Sequence, residues 1–140
     1  QQMAGFECKP VSVEITYGLE RICMFTQQKK NVYELDWNED GIKYNEVFHQ
    51  SEKEFSKYNF EHANTNNLFQ IFNIHETEAI SLANNKISLP AYDQCLKASH
   101  VFNVLDARGA ISVAERAEYI SRIRNIVKLS AEVWLETQKN

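Results

Sequence analysis

The fold prediction starts from residues 14–21, Glu-Ile-Thr-Tyr-Gly-Leu-Glu-Arg, where one hydrophobic period gives way to another. Before Gly18, apolar and polar residues alternate from Val11 to Ile15, as in a half-buried strand. After it, apolar residues recur at helical spacing from Leu19 to Cys23. We therefore predict that the first seventeen residues are strand and run directly into a helix. A lone strand leaves its backbone groups unpaired, so its ladder partners must lie in residues 1–10 or outside the sequence.

Downstream, the sequence favours long helices, because only 4 glycines and 2 prolines occur in 140 residues. Helical periodicity begins at Tyr44, and a second helix ends at Asn84–Lys86. A third helix is predicted to begin at Pro90, where the missing N–H costs nothing. The last helix is predicted to run from Val113 towards Thr137.

The predicted fold class is mainly α, with a strand-to-helix unit followed by a C-terminal helical bundle. The predicted domain boundary separates residues 1–30 from a helical domain at residues 31–140. Ser112 and Glu115 have the spacing of a capping box at the start of the last helix. The apolar faces predicted for the last two helices are Tyr92, Cys95, Leu96, Ser99, Phe102 and Leu105 on one, and Ala117, Ile120, Val127, Ala131 and Trp134 on the other.

Composition excludes several classes of protein. No run of about 18 apolar residues is present, so no membrane span is expected. The N-terminal residues lack the pattern of a signal peptide, and the 3 cysteines form no CxxC pair, which together favour the reducing cytoplasm. The four histidines show no metal-ligand spacing, and His75 and His100 are predicted to be hydrogen-bonded core residues.

Charge is unevenly distributed, although the whole chain carries only −4. Residues 34–61 hold eight acids against three lysines, whereas residues 108–128 hold five cations against two glutamates. The basic stretch predicts a contact with RNA or with another subunit. The alternative is an ordinary solvated helix face. The residues proposed for this contact are Arg116, Arg122, Arg124 and Lys128.

Residues 14–21 also carry the most informative polar pattern. On a strand, Glu14, Thr16 and Gly18 project to one face, where a carboxylate, a hydroxyl and bare backbone would form a floor for a small polar ligand. Arg21 follows at the start of the helix, where a planar guanidinium suits a phosphate. The alternative is that Glu20 and Arg21 are solvated charges at a helix start.

Gly18-Leu19-Glu20-Arg21 resembles motif 3 of the class II aminoacyl-tRNA synthetases, and Val13–Arg21 resembles the version found in the glycyl-tRNA synthetase alpha-subunit family. Further segments resemble the same family in order, so that the resemblance covers essentially the whole chain. They are Val32–Leu35, Asp36–Asn38, Val47–Gln50, Tyr58–Glu61, Leu89–Tyr92, Phe102–Arg108 and Ala110–Arg116.

The resemblance implies a role for each residue of the motif. Arg21 would bind the terminal phosphate of ATP, and Gly18 would leave room for the adenosine. Glu20 would orient Arg21 or help to hold magnesium that arrives with ATP, and the chain would hold no other metal. Glu14 and Thr16 would receive glycine. Residues 1–30 would then be the C-terminal piece of the class II catalytic domain, with the strand at the edge of its antiparallel sheet.

The resemblance also implies the activity and the partners. The family's enzyme is a cytoplasmic glycine–tRNA ligase that forms glycyl-adenylate from glycine and ATP and then charges tRNA-Gly. It works with a beta subunit in an α2β2 assembly. The alternative function is a non-catalytic helical module that binds protein or RNA, which would explain the bundle and the uneven charge.

We predict that the 140-residue chain alone does not form glycyl-adenylate. In class II enzymes motif 1 and the motif 2 arginine that grips the α-phosphate precede motif 3, and this sequence has neither. Loss of one such contact typically costs about 10²–10³ in rate. The measurement is glycine-dependent ATP–pyrophosphate exchange by the purified chain, and exchange above the no-enzyme background would contradict the prediction.

Overall fold

The computed structural model describes residues 1–139, and over that range the protein is mainly helical. Two short strands come first, β1 at Gln2–Met3 and β2 at Phe6–Glu7. The α-helices are α1 at Leu19–Thr26, α2 at Tyr44–Lys57, α3 at Thr65–Asn84, α4 at Ser88–Ala107 and α5 at Val113–Thr137. A 3₁₀ helix lies at Val32–Glu34 and a π-helical turn at Tyr58–His62.

The chain divides into two compact units. The bundle unit consists of residues 1–10 together with the chain from residue 59 onward, and the small unit is Val11–Tyr58. The boundary predicted after residue 30 stays a prediction. Across residues 1–139, no helix combines the length and apolar character needed to cross a lipid bilayer.

The core of the bundle unit lies where α3, α4 and α5 pack together. Phe72 from α3 and Leu105 from α4 are fully buried, and Ile126 from α5 is 1% exposed. Burying a side chain of this size contributes roughly 1.5–3 kcal/mol. Ala79 and Ala98 are buried between them, and their small side chains allow the helices to approach closely.

Burial confirms part of the predicted apolar faces and corrects the rest. On α4, three of the predicted residues are buried, but Tyr92 and Leu96 are exposed. On α5, the buried residues are Ile126, Ser130 and Val133, each one position away from a predicted one. One residue turns a helix by about 100°. The residues predicted for α5, such as Ile120 and Val127, therefore lie beside the core rather than in it.

Cys95 shows how polar groups are satisfied in this core. Its thiol lies 3.2 Å from the Ala91 carbonyl and 3.5 Å from the Ser130 hydroxyl, and that hydroxyl donates to the Ile126 carbonyl at 2.9 Å. Burial raises the pKa of the Cys95 thiol, more than the contact with Ser130 lowers it. All three cysteines are free thiols, and Cys8 and Cys23 are half-buried.

The junction between α4 and α5 combines a glycine turn with the predicted capping box. Gly109 adopts a positive φ of 63°, which an L-residue tolerates poorly, and its N–H donates to the Asp106 carbonyl at 3.0 Å. The Ser112 hydroxyl then accepts the Glu115 N–H at 3.3 Å, and the Ser112 N–H donates to the Glu115 carboxylate at 2.9 Å. The capping box is therefore confirmed, and its hydrogen bonds lower the pKa of Glu115. The start predicted at Pro90 is wrong by two residues, because α4 begins at Ser88.

The small unit is organised by a hairpin and an aromatic cluster. Residues 36–43 fold back on themselves, with the Trp37 N–H donating to the Ile42 carbonyl at 2.8 Å and Lys43 paired with Asp36. Lys43 lowers the pKa of Asp36. The aromatic cluster, defined as Tyr33, Trp37, Tyr44 and Phe48, packs the hairpin and the 3₁₀ helix on the first turns of α2.

The predicted strand over the first seventeen residues is wrong. Gln2–Met3 pairs only with Phe6–Glu7, and residues 11–18 have no regular secondary structure. Within residues 1–139 no strand pairs with residues 11–17, so their backbone groups lack the ladder that a strand requires. Val13 is 86% exposed and Ile15 73% exposed. The mainly α class and the helical bundle are confirmed, whereas the strand half of the strand-to-helix unit is absent from this structure.

Replacing the cap residue tests how far the long α5 depends on it. Ser112→Ala removes the hydroxyl that accepts the Glu115 N–H, so we expect a loss of about 1 kcal/mol in the free energy of unfolding. Urea denaturation followed by circular dichroism measures this change. Ser121→Ala, in the exposed middle of α5, is the matched control and is expected to be neutral or slightly stabilising. Equal effects of the two substitutions would contradict the capping role.

Candidate functional site

The first turn of α1 carries the residues predicted to hold a phosphate. Gly18 is the N-cap, with φ −76° and ψ 111°, and its carbonyl accepts the Ile22 N–H at 3.1 Å. A Cβ at Gly18 would lie 3.6 Å from Arg21 Cγ and 3.7 Å from Cδ. The stem of Arg21 therefore folds back against Gly18, in ordinary van der Waals contact. Neither the backbone angles nor this contact requires glycine, so its predicted role of admitting a nucleotide stays a prediction.

Arg21 is exposed, and among residues 1–139 it forms no ion pair and no side-chain hydrogen bond. Its guanidinium keeps its full donor set, and the first N–H groups of α1, in the same helical turn, also lack intrahelical partners. Such an arrangement can bind an anion, and a phosphate can take two parallel hydrogen bonds from one guanidinium.

Glu20 lies in the same turn and is also exposed. It is close enough to the aromatic cluster to affect Tyr44. Burial raises the pKa of the Tyr44 hydroxyl, and the negative charges of Glu20 and Glu52 raise it further. The charge of Glu20 therefore acts on Tyr44 within the small unit.

Glu14 and Thr16 are brought together, although not on a strand. The Thr16 hydroxyl donates to the Glu14 carboxylate, so the two side chains lie on the same side of an extended, exposed segment. A carboxylate paired in this way can accept an ammonium group from solution. Glu14 and Thr16 therefore lie on one side of the chain as predicted, but they are bonded to each other, and the strand on which they were predicted is absent.

The position of α1 is fixed by a side chain that the sequence analysis did not single out. The Gln27 carboxamide forms two hydrogen bonds with the backbone of Asp36, donating to its carbonyl at 3.1 Å and accepting its N–H at 2.8 Å. This pairing mimics a strand partner and joins the end of α1 to the hairpin. No sequence pattern signals it, because the two residues are nine positions apart in an irregular segment.

A second missed feature is the polar edge of the aromatic cluster. The Tyr33 hydroxyl donates to Glu52, which raises the pKa of that tyrosine, and the ring of Tyr33 lies 4.5 Å from that of His49. The sequence analysis did not single out either residue of this pair. The pairing with Glu52 spans 19 residues, and no periodicity links the two.

Most of the basic residues predicted to meet RNA or a subunit have acidic partners inside the bundle unit. Arg116 pairs with Asp106 at 3.2 Å, and Lys128 lies 3.8 Å from Glu132. Arg124 is exposed, and within the described chain it has no acidic partner. The predicted contact itself stays a prediction.

Arg122 is used inside the bundle unit, where it joins α5 to α3. Its Nε donates to Glu76 at 2.9 Å, and its Nη2 donates to Asn73 at 2.6 Å and again to Glu76. The guanidinium lies 4.6 Å from the centre of the Phe72 ring and 4.9 Å from that of Tyr119. Hydrogen bonding to Glu76 raises the pKa of Arg122, so the group stays charged. We call these contacts of Arg122 with Glu76, Asn73 and the two aromatic rings the clamp. A partner that bound Arg122 would have to displace them.

Metal ligands are not assembled in the part of the chain that the structure describes. No group of three His, Cys, Asp or Glu side chains there is close enough to hold an ion. His75 is hydrogen-bonded to Gln94 at 2.8 Å, which confirms the predicted hydrogen bond, but its side chain is half-buried rather than in the core. The prediction for His100 is wrong, because its side chain is exposed on the outer face of α4.

The clamp predicts a stability effect that an outward-facing cation would not show. The side chains of Arg122 and Glu76 are 25% and 19% exposed, and Glu76→Gln leaves the guanidinium without its counter-charge. We expect a loss of about 2 kcal/mol in the free energy of unfolding, in the range measured for hydrogen bonds to charged groups. Glu78→Gln, exposed on the same helix, is the control. Thermal and urea unfolding that did not separate the two variants would contradict the clamp.

Comparison with known protein families gives one match that spans nearly all of the chain. The model of the family described as glycyl-tRNA synthetase alpha subunit matches residues 1–139. The chain belongs to this family, and the resemblance inferred from residues 13–21 and the segments downstream is confirmed.

Proposed function

We propose that this member of the glycyl-tRNA synthetase alpha-subunit family contributes residues 14–21 to the site that activates glycine with ATP. The complete enzyme, a class II glycine–tRNA ligase, would then charge tRNA-Gly together with a beta subunit. The observation that carries the proposal is Arg21, an exposed guanidinium that has no partner among residues 1–139 and lies on the first turn of a helix. An arginine whose role was structural would be expected to have a carboxylate or carbonyl partner, as Arg122 does.

In this proposal Arg21 binds the terminal phosphate of ATP. Its guanidinium supplies two parallel hydrogen bonds, and the free N–H groups of α1 add a favourable dipole. Glu20, one residue before it, offers the hard oxygen ligands that magnesium prefers, so it fits a magnesium ion carried by the nucleotide. Its exposure leaves it free to orient Arg21 instead.

Glu14 and Thr16 are the residues proposed for glycine. The carboxylate would pair with the ammonium group of glycine, while the hydroxyl already bonded to Glu14 would hold that carboxylate in place. Gly18 would keep the adjacent backbone open to the adenosine.

ATP supplies an activated phosphate when bound. An oxygen of the glycine carboxylate forms a bond to the α-phosphorus, and the bond from that phosphorus to pyrophosphate breaks. The resulting glycyl-adenylate then transfers its glycyl group to the terminal ribose of tRNA-Gly. No side-chain nucleophile is needed, so the residues of this chain contribute positioning and charge stabilisation.

The proposed partners follow from the same assignment. They are tRNA-Gly and the beta subunit, in an α2β2 assembly within the cytoplasm. Of the four basic residues considered for such contacts, Arg124 has the most accessible charge, because the other three already have acidic neighbours.

A second candidate function is a non-catalytic helical interaction module. The observation that favours it is the bundle unit, whose core is built from its own helices and does not involve the small unit. A purely interaction function does not explain why Arg21, next to Gly18 in the first turn of α1, has no partner among residues 1–139. Binding of ATP or glycine by residues 14–21 distinguishes the two candidates.

The experiment is a titration of the chain with Mg·ATP and with glycine, followed by amide chemical shifts. We expect ATP to shift amides in residues 14–21, and Arg21→Ala to weaken ATP binding by about 10-fold or more, since a charged hydrogen bond contributes roughly 1.5–3 kcal/mol. Lys30→Ala, exposed in the same unit, is the matched control for loss of one positive charge.

Two outcomes would refute the proposal. One is the absence of any shift in residues 14–21 at millimolar Mg·ATP. The other is equal weakening by Arg21→Ala and Lys30→Ala, which would indicate that only net charge matters.

A further inference from the structure

An apolar cleft runs between α4 and α5 of the bundle unit. Its volume is about 280 Å³, and its walls include Leu89 and Tyr92 from α4 and Val127, Ala131 and Trp134 from α5. These residues lie beside the core that the three helices share, on the sides of α4 and α5 that face each other. The turn after β1 also lines the cleft and leaves the rest of it open.

The α4 wall continues as an exposed apolar stripe. Leu89, Tyr92 and Leu96 are spaced three and four residues apart and therefore lie on one side of the helix. All three are exposed, and Trp134 on the opposite wall is 44% exposed. Grooves of this kind, lined by aliphatic and aromatic side chains at helical spacing, are the form that binds amphipathic helices.

The charged residues at the edge of the cleft indicate which kind of helix would fit it. Arg124 and Lys128 lie one helical turn apart on α5 and, together with Val127, line a second surface depression that continues from the cleft. Arg124 has no acidic partner among residues 1–139, whereas Lys128 is exposed and paired with Glu132 at 3.8 Å. On the α4 side, Asp93 and Lys97 neutralise each other at 2.8 Å. The α5 edge therefore carries the uncompensated charge of Arg124, whereas the charges on the α4 side are paired, and this arrangement complements a helix that carries carboxylates along one side.

We propose that the cleft is the docking site for an amphipathic helix of the beta subunit. Apolar residues of that helix would fill the space between Tyr92 and Trp134, and its acidic edge would lie against Arg124 and Lys128. The proposal rests on the proposed function, which names a beta subunit as partner. RNA fits less well, because two cations neutralise only two phosphates and most of the lining is aliphatic.

The test measures binding of the chain to purified glycyl-tRNA synthetase beta subunit, with Trp134 as the reporter. Trp37→Phe leaves Trp134 as the single tryptophan, and binding is expected to shift its emission to the blue as it leaves water. Leu96→Glu and Tyr92→Glu place a charge in the stripe and keep Trp134 as the reporter, and each is expected to weaken binding by about 10-fold or more. Ile74→Glu is the matched control, because Ile74 is 63% exposed on α3 and does not line the cleft.

The acidic edge is tested separately by charge reversal. The double variant Arg124→Glu, Lys128→Glu is expected to weaken beta-subunit binding by about 10-fold at low salt and less at high salt, because exposed charges are screened. The control is Lys30→Glu, Lys57→Glu, which makes the same change in net charge in the small unit. Circular dichroism verifies that every variant retains the helical content of the wild-type chain.

Each outcome decides one of the two proposals. If the wild-type chain binds the beta subunit but the stripe variants bind like Ile74→Glu, or Trp134 emission does not change, the cleft is not the docking site and the proposed function stands. If charge reversal weakens tRNA binding while beta-subunit binding is unchanged, the edge contacts RNA and the docking proposal is wrong. If the wild-type chain shows no affinity for the beta subunit, both the docking proposal and that partnership fail.

Discussion

The burial of Phe72, Leu105 and Ile126 at the meeting point of three long helices is the interaction on which the bundle unit depends. Each residue comes from a different helix, so the apolar contact forms only when all three helices are aligned. The flanking alanines permit that alignment, and the turn at Gly109 with the cap at Ser112 directs α5 back against α4. The clamp of Arg122 then joins α5 to α3 at the edge of the same core.

The small unit has no comparable core. Leu35 is its one buried apolar residue in the described range, and the unit is held by directional contacts instead. The aromatic cluster holds α2 on the hairpin, and Gln27 attaches α1 to Asp36. These contacts leave the first turn of α1 at the surface of the small unit, where the proposed nucleotide site would be open to solvent. Arg21 is exposed in this unit, which has few buried apolar residues against which its side chain could pack.

The helical part of the fold was predictable because its signals are local. The capping box and the period of apolar residues identify α5, and they depend only on residues within a few turns of one another. The structure of residues 11–17 was not predictable in this way. Alternating apolar residues indicate a preference for extended backbone, but a strand also needs a neighbouring strand to hydrogen-bond with. The shift of the α5 face to Ile126 has a similar cause, since which of two adjacent apolar residues is buried depends on the neighbouring helices.

The candidate site shows the same division between local and distant information. The sequence placed Arg21 and Glu20 at a helix start, and the pairing of Glu14 with Thr16 follows from their separation by two residues. The proximity of Glu20 to Tyr44 and the bond between Tyr33 and Glu52 join segments of different local pattern. Only the folded chain brings these groups together, and the polar surroundings of the α1 start therefore could not be inferred from spacing.

The burial of Cys95 has a practical consequence. Thiol reagents react with the thiolate, and this sulfur is enclosed by Ala91 and Ser130 and has a raised pKa. Alkylation there must wait until α4 separates from α5. Its rate therefore follows the opening equilibrium of the bundle under native conditions, much as slow amide exchange does. Cys8 and Cys23, which are half-buried, would be modified from the folded state and provide an internal reference for reagent access.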